Sequence, residues 1–298
     1  MKQSVWKAVS KEPWYKLKSM ILKGISYSVL GIMSILSCFP VFLLAVGALA
    51  GERELMVYLQ GLFGEGGRVS FVLFPSFPTL KGFLNLLLDT PEFYAAFWNS
   101  VKITACILAG QLLVSVPAAW GFSRWQGKLS GLLFYIYTIL MLLPFQVTML
   151  SNYVVIKRLG MLDTQAAVIL PAVFATFPVF LIYRYFIGIP KEIYEAFSLE
   201  SSSKFRLFWH IGIPMAMPGI KAALLLGVME CWNMVEQPLL FLKTPALWPH
   251  SLCLPEIHQG NVQYIFAFSL AVLAPMCLVM FWGREEIREG IGAMAPKE

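Results

Sequence analysis

The sequence predicts an all-α integral membrane protein with six transmembrane helices. Of its 298 residues, 58% are apolar and only 13% are charged, whereas a soluble domain is roughly one quarter charged. Because so little polar surface cannot cover a globule in water, insertion into a bilayer is the natural interpretation. Six apolar stretches are long enough to cross roughly 30 Å of hydrocarbon at about 1.5 Å per residue: 25–48, 101–123, 131–150, 166–187, 219–241 and 264–283.

The spans divide the chain into a basic N-terminal tail (1–24), a six-span domain (25–283) and a short C-terminal tail (284–298). The fourth span contains Pro171 and Pro178. These prolines would break a soluble helix, but a membrane bundle tolerates them because neighbouring helices satisfy the freed carbonyl groups.

The distribution of Lys and Arg predicts the orientation. Sixteen of these residues lie in the two tails, in the connections after the second and fourth spans, or at the span ends that border those connections, and seven lie toward the opposite side. The positive-inside bias therefore predicts that both termini and the connection 188–218 are cytoplasmic, and that the connection 49–98 lies outside. The same placement beside apolar runs accounts for the net charge of +6 without a nucleic-acid partner.

The sequence contains no pattern typical of catalysis. A nucleotide-binding loop needs G-x-x-x-x-G-K-[ST], and the nearest approach, Gly121 with Gly127-Lys128, has the wrong spacing and continues with Leu129. The three histidines show no metal-ligand spacing, and no Ser/His/acid or paired-carboxylate arrangement stands out. We therefore expect no enzyme activity, no catalytic residue, no metal ligand and no cofactor.

The connection between the fourth and fifth spans is unusually charged for this chain. A short helix is predicted after Pro190, and Ser201-Ser202-Ser203 interrupts it and can cap a second helix beginning near Lys204. The residues of the first helix expected to share an apolar face are Ile193, Ala196, Phe197 and Leu199. Two short helices at an angle form a knob suited to a groove on a partner protein. An amphipathic loop lying on the membrane interface fits the pattern equally well.

This segment also carries a recognisable motif, E-A-A-x-[IL]-D-G-A followed by I-x-[LIV]-P and a nearby P-G. The matching residues are Glu195, Ala196, Leu199, Ile211, Ile213, Pro214, Pro218 and Gly219. Further matches are Asn99-Ser100, Ala118 to Arg124, Pro144, Ile189-Pro190, Trp232-Asn233 and the tail Arg284 to Gly290. The chain therefore resembles the permease subunits of binding-protein-dependent ABC importers, in particular the maltose-type six-span subunit of the carbohydrate branch. Three positions depart from the motif: Phe197, Glu200 and Ser201.

The resemblance implies a partnership and a location. The chain would pair with a homologous permease and two ATP-binding cassette ATPase subunits in the lipid of a bacterial cytoplasmic membrane, and receive its solute from an extracytoplasmic binding protein. It would form half of an alternating-access pathway for a sugar or oligosaccharide. The ATPase-coupling residues implied by the motif are Glu195, Ala196, Phe197, Leu199, Glu200 and Ser201.

Two alternative functions remain open. One is an importer of a polyamine or a glycerol-phosphate-like solute, in which an acidic cavity would favour the polyamine and a basic cavity the phosphate. The other is a non-transporting assembly or sensing subunit that uses the same loop to bind a partner. The sequence does not name the solute, the ATPase or the permease that carries the solute site.

Polar residues inside spans are the candidates for the solute path. They are Gln111, Gln146, Glu230 and Asn233. Because a buried charge costs about 2.5–3.5 kcal/mol on insertion scales, such residues usually face a bundle interior or a wet cavity. Glu230 is open to three interpretations: a pathway residue, a partner in an ion pair or helix contact, or a residue beyond a misplaced span boundary. Trp120 and Trp125 are expected to be anchors at the membrane interface.

Overall fold

The structure, a computed structural model, describes residues 13–63, 70, 73–125, 127–200, 203–253, 261–286 and 288. Within these residues the regular structure is helical. The α-helices in chain order are α1 (Pro13–Leu49), α2 (Glu52–Tyr58), α3 (Lys81–Leu88), α4 (Pro91–Arg124), α5 (Lys128–Met141), α6 (Phe145–Arg158), α7 (Gln165–Val173), α8 (Thr176–Ile187), α9 (Lys191–Glu200), α10 (Lys204–Leu207), α11 (Ile213–Trp232), α12 (Glu236–Phe241) and α13 (Val262–Trp282). A π-helical turn, Phe208–Gly212, joins α10 to α11, and 3₁₀ turns occupy Gln60–Phe63, Pro245–Leu247 and His250–Leu252.

Contacts divide the chain into two units. The first consists of Met1–Asn85 and Ile257–Leu270. Its small core is formed by Val46, Ala50, Leu55 and Val262. The Glu52 carboxylate accepts hydrogen bonds from the backbone N–H groups of Val262 and Gln263, each at 3.0 Å. This carboxylate therefore satisfies two of the four N–H groups that the first turn of α13 leaves without intrahelical partners.

The second unit consists of Leu86–Glu256 and Ala271–Glu298. Its main core lies where α4, α8 and α11 meet, around Val116, Leu181, Phe186 and Ala222. Small residues bring these helices close together: the space beside Gly219 is filled by the Tyr185 ring, and that beside Gly110 by Val173. Such close backbone approach is typical of helix packing within membranes, where van der Waals contact and hydrogen bonds drive association.

The membrane-spanning pattern agrees with the sequence prediction. Among the residues that the structure describes, five helical segments are long and apolar enough to cross a membrane: Lys18–Leu49, Pro91–Arg124, Gln165–Ile187, Lys204–Trp232 and Val262–Trp282. A sixth span is present if the pair Leu129–Met141 and Phe145–Arg158, bent by 101°, is counted as one. The all-α membrane fold is thus confirmed, with five spans and a sixth when the bent pair is counted as one.

The bounds of several segments differ from the prediction. The fifth span begins at Lys204 and ends at Trp232, not at 219 and 241, because the π-helical turn continues the helix backward and Asn233 ends it. The cytoplasmic loop predicted over 188–218 is therefore largely helical, and the outside connection 49–98 contains α2, α3 and the start of α4. Helix α1 begins at Pro13, inside the predicted N-terminal tail, whereas residues 1–12 and most of the C-terminal tail lie outside the described residues.

Candidate functional site

Helix α9 projects one face from the bundle. Tyr194 is buried, with 5% of its surface exposed, while Leu199 on the other side of the helix is 92% exposed. Glu192 and Glu195 are exposed with Leu199, and a period of 3.6 residues places these three on one face. The α9 surface, defined here as Glu192, Glu195, Ala196 and Leu199, is therefore open for a partner.

The four residues expected to share an apolar face on this helix differ in exposure. Ile193 and Phe197 are half-buried, whereas Ala196 and Leu199 are exposed. The inward position is held instead by Tyr194, whose ring packs among aromatic residues of neighbouring helices. Spacing predicted a shared apolar face, but it did not indicate which residues of that face meet the bundle and which stay exposed.

A second helix, α10, begins at Lys204, as predicted. The Ser203 hydroxyl accepts a hydrogen bond from the Arg206 backbone N–H at 3.4 Å, which caps α10. Phe205 and Trp209 on the following segment are 70% and 52% exposed. Ser201 and the side chain of Glu200, both predicted coupling residues, lie outside the described residues.

Tyr194 connects α9 to the bundle. Its hydroxyl donates a hydrogen bond of 3.4 Å to the Phe186 carbonyl oxygen, and the Arg124 guanidinium carbon lies 4.2 Å from the centre of its ring. Burial raises the pKa of the Tyr194 phenol, and the positive charge of Arg124 opposes that rise. The ring therefore stays neutral at physiological pH and serves as a packing surface with a cation over its face.

A cavity of 680 Å³ lies in the second unit. Gln111 and Glu230, two of the four predicted pathway residues, line it. The other polar residues of the lining are Thr148, Ser151, Asn152, Thr176 and Gln237, and the aromatic ones are Phe145, Phe174 and Phe177. Among the described residues of this lining, Glu230 is the one with a formal charge. The cavity thus combines hydrogen-bonding side chains with apolar ring surface, as ligand cavities usually do.

Gln111 also has a structural role. Its side-chain amide donates a hydrogen bond of 2.9 Å to the Ala172 carbonyl oxygen. Ala172 lies near the end of α7, where the helix breaks before α8, and its carbonyl oxygen also accepts from the Ala175 backbone N–H at 3.2 Å. Gln111 therefore stabilises the break in the fourth span as well as lining the cavity.

The other two predicted pathway residues do not line this cavity. The Gln146 side chain donates to the Glu236 carboxylate at 2.8 Å, and the Asn233 side chain donates to the Met229 carbonyl oxygen at 3.0 Å. Glu230 itself lies in the last turn of α11 rather than in the middle of a span, because the helix ends at Trp232.

Residues at the far end of α4, away from α9, form a hydrogen-bond network that sequence reasoning missed. Buried Asn99 donates to the Ala246 and Trp248 carbonyl oxygens at 2.8 and 3.1 Å and accepts from the Gln165 amide at 2.8 Å. Sequence analysis identified Asn99-Ser100 only as a match to the family motifs. Spacing could not predict the partners of Asn99, because the bonded residues lie up to 149 positions away.

Ser100 continues this network to a buried histidine. The Ser100 hydroxyl accepts from the His250 backbone N–H at 2.8 Å and lies 2.6 Å from His250 Nδ1. The Trp232 ring packs on the imidazole, with 4.6 Å between ring centres. Burial lowers the pKa of His250 from 6.5 to about 4, because a charged imidazole loses hydration there.

An acidic side chain ties a second pair of loops together at this end. Asp163 Oδ1 accepts from the backbone N–H groups of Lys243 and Thr244, each at 2.8 Å, and Asp163 Oδ2 accepts from the Thr244 hydroxyl at 2.6 Å. These hydrogen bonds hold the pKa of Asp163 below its usual value. No group of metal-ligating side chains is present within the described ranges.

Comparison with known proteins agrees with this architecture. The family described as the binding-protein-dependent transport system inner membrane component matches residues 111–285. The arabinooligosaccharides transport system permease protein AraQ of Halalkalibacterium halodurans is 24% identical over 253 residues, which cover 84% of this chain and 88% of AraQ. The lactose transport system permease protein LacG of Rhizobium radiobacter is 26% identical and covers 90% of this chain and 94% of its own.

Two further similarities bear on solute and fold. The sn-glycerol-3-phosphate transport system permease protein UgpE of Brucella abortus is 29% identical over 143 residues, which cover 48% of this chain and 51% of UgpE. A chain in the crystal structure of a bacterial ABC transporter involved in alginate import superposes with a TM-score of 0.76 at 17% identity, covering 90% of this chain and 97% of that chain. The similarity to that chain of the alginate importer confirms the fold.

Proposed function

The chain belongs to the family of inner membrane components of binding-protein-dependent transport systems, and we propose that it forms half of the solute pathway of an ATP-driven importer for a sugar or oligosaccharide. It pairs with a homologous permease to complete the pathway. Two ATPase subunits bind on the cytoplasmic side, and an extracytoplasmic binding protein delivers the solute on the other. Both termini of the chain are cytoplasmic.

The observation that carries this proposal is the α9 surface. An exposed leucine, 92% accessible, flanked by two exposed carboxylates suits an amphipathic groove on a partner. The partner is an ATPase, since the same segment carries the family motif. Closure of the ATPase dimer on ATP moves α9, the helices open to the outside, and hydrolysis reverses the movement.

Two observations favour a sugar over a phosphorylated solute. AraQ and LacG are similar to this chain over more than four fifths of its length, whereas the similarity to UgpE covers about half. The described cavity lining carries Glu230 and no Lys or Arg, so it offers no cation to balance a phosphate. Amide and hydroxyl groups beside aromatic rings are suited to the hydroxyl groups and apolar faces of a sugar.

Substitutions on α9 test the proposal. In the complex purified through a tag on this chain, Leu199→Asp or Glu195→Ala should weaken recovery of the ATPase about tenfold or more, because truncating a desolvated interface contact costs about 2–5 kcal/mol. Phe197→Asp should do the same, although Phe197 is half-buried and also contributes to folding. Leu80→Asp is a matched control, since Leu80 is also exposed but lies far from α9 in sequence.

Cysteine cross-links add a positional readout. A cysteine placed at 198–203 should cross-link to one placed in the groove of the ATPase. If the α9 substitutions leave both ATPase recovery and transport unchanged, the segment is an interfacial amphipathic loop and the importer proposal loses its main support. Solute-stimulated ATP hydrolysis in reconstituted vesicles separates an importer from a non-transporting subunit.

The orientation has its own test. Single cysteines within 51–70 should react with an impermeant reagent added to intact cells, and those within 198–206 should not. Labelling of the latter group from outside would reverse the orientation.

A polyamine is the second candidate solute, because the carboxylate of Glu230 is the charged group of the described cavity lining and would attract a cation. Glu230→Gln preserves shape and removes the charge. For a sugar, transport should change modestly, since an amide still bonds to hydroxyl groups, whereas polyamine uptake should fall at least tenfold. Unchanged transport with a more stable complex would make Glu230 a structural charge.

A further inference from the structure

Trp120 lies where the connection 188–218, called the α9 loop below, meets the transmembrane bundle. It occupies the last turns of α4, and its ring contacts three others: Phe186 of α8 at 5.2 Å, Tyr194 of α9 at 5.8 Å and Phe208 of the π-helical turn at 5.4 Å between ring centres. Tyr194 lies on α9, and Phe208 follows α10. The same indole therefore contacts both arms of the loop that carries the α9 surface.

The fit around this ring is tight. A methyl group built on Gly212 would come within 2.7 Å of Trp120 Cζ3, so the backbone at the start of α11 lies directly against the indole. The Arg124 guanidinium carbon lies 5.8 Å from the Trp120 ring centre and 4.2 Å from that of Tyr194. Movement of either arm of the loop therefore presses on Trp120 rather than closing an empty space.

The helices on either side of the ring are locally irregular. Pro117 lies inside α4, one turn before Trp120, where it removes a backbone hydrogen bond. The turn Phe208–Gly212 is π-helical, and π-helical turns within α-helices are frequently functional. Both α4 and α11 are thus able to bend next to the contact, while the contact itself is closely packed.

The same two helices lead to the cavity. Gln111 lies nine residues before Trp120 on α4, roughly 13 Å along the helix axis, and Glu230 lies near the other end of α11. Both side chains line the cavity of 680 Å³. A displacement at Trp120 therefore reaches the cavity walls through two continuous helices.

We infer that Trp120 is a positioning residue for coupling. It transmits movement of the α9 loop to α4 and α11, and these helices transmit the movement to the cavity. This rests on the proposed function. It also revises the expectation that Trp120 is an interfacial anchor, which remains suited to Trp125, whose side chain is 53% exposed.

The test measures nucleotide-dependent access to the cavity in the complex purified through this chain. The five native cysteines are replaced, and Ser151→Cys, in the cavity lining, is the reporter. The readouts are ATPase recovery, ATP hydrolysis and the rate of maleimide labelling with and without ATP and vanadate. Labelling reports transmission of the movement, whereas the first two readouts report assembly and an intact ATPase.

Trp120→Ala should leave ATPase recovery and hydrolysis in place while the nucleotide-dependent change in labelling falls roughly twofold to thirtyfold. Trp120→Phe, which keeps a ring, should retain most of the change. Gly212→Ala should also reduce it, because the added methyl group displaces the indole. The matched controls are Trp125→Ala, an exposed neighbour, and Gly121→Ala, beside which the described structure leaves space; both should behave as the unmodified chain.

The two possible failures are distinguishable. If no ATPase is recovered with the unmodified chain, the proposed function fails before any variant is compared. If Trp120→Ala assembles and keeps the full labelling change, only the role of Trp120 is overturned. If Trp120→Ala and Trp120→Phe both abolish assembly, the ring is structural, and the positioning role is likewise overturned.

Discussion

The two ends of α4 are held by different physical interactions. At its N-terminal end, Asn99 and Ser100 are buried and fastened to the 245–252 segment by hydrogen bonds of 2.6–3.1 Å. At its C-terminal end, Trp120 is surrounded by rings 5.2–5.8 Å away, and Arg124 lies over two of the ring faces. Roughly 30 Å of helix separates the two ends.

The difference concerns directionality. Hydrogen bonds weaken steeply when distance or angle changes, so the Asn99 end holds a single arrangement. Ring packing tolerates several tilts and offsets at similar energy, so the Trp120 end can shift while it remains packed. Because α4 is fixed at its Asn99 end and movable at its Trp120 end, it is suited to transmitting movement along its length. The following variants test this contrast between the two ends.

The largest effect is expected at Tyr194. Tyr194→Ala removes a buried ring outside the membrane spans, and such changes cost about 3–5 kcal/mol, so the backbone amides of α9 should exchange with deuterium at least a hundredfold faster. Tyr194→Phe keeps the ring and loses only a hydrogen bond of 3.4 Å, so it should be nearly neutral. Glu192→Ala, on the exposed face, is the control. Equal effects of the phenylalanine and alanine variants would mean that the hydroxyl, not the ring, docks the helix.

The next effect is expected at Asn99. Asn99→Leu leaves two carbonyl oxygens and the Gln165 amide without this partner, and each unsatisfied buried group costs about 1–3 kcal/mol. We expect a loss of about 2–4 kcal/mol in the free energy of unfolding, measured in mixed SDS micelles. Asn152→Leu, at a half-buried position in the cavity lining, should cost clearly less. A neutral Asn99→Leu would remove the basis for regarding this end as fixed.

The contrast between the two ends was only partly visible in the sequence. Apolar length predicted the spans because bilayer thickness sets a minimum number of residues. Ser203 as a helix cap was also predictable, since a capping side chain bonds within its own turn. Both inferences depend on local properties of the chain.

The contacts that define the ends are not local. Asn99 bonds to residues 147 and 149 positions away, and the 101° bend of the third span follows Pro144 without being encoded by apolar length. For the pathway candidates, polarity found Gln111 and Glu230 in the cavity lining but did not distinguish them from Gln146, which is bonded to Glu236. Polarity marks a need for a partner and does not identify that partner.

His250 makes the fixed end sensitive to pH. Its pKa falls from 6.5 to about 4 on folding, so the unfolded chain binds the extra proton between these values. Stability is therefore complete above about pH 6.5 and falls as the pH decreases toward 4, by about 2 kcal/mol between pH 7 and pH 5. Unfolding measured across this range should lose that slope in His250→Gln and keep it in His210→Gln, because His210 is exposed. A slope that persists without His250 would assign it to other groups.

The smallest effect is expected at Asp163, which fastens the α6–α7 connection to the segment after α12. Its lowered pKa means that the ionised carboxylate is the stabilising form, so its contribution is present above the usual value of 3.8 and is lost as the pH falls through the folded pKa. Between pH 5 and pH 8 it should therefore be constant, in contrast to that of His250. Replacing Asp163 should not alter the slope measured in that range.

The backbone at Asp163 separates two contributions to this fastening. Its φ of 60° lies in the left-handed region, which asparagine tolerates better than alanine. Asp163→Asn keeps one acceptor oxygen and the backbone preference, whereas Asp163→Ala loses both acceptors and is strained. Thr244→Val removes only the hydroxyl donor that bonds to Asp163 Oδ2. Thermal unfolding should therefore rank the losses as alanine, then asparagine, then Thr244→Val, all below that of Asn99→Leu. If Asp163→Asn and Asp163→Ala are equally harmful, the charge of Asp163, rather than its backbone geometry, holds these loops together. The interaction at Asp163 would then depend less on direction than the hydrogen bonds of Asn99 do.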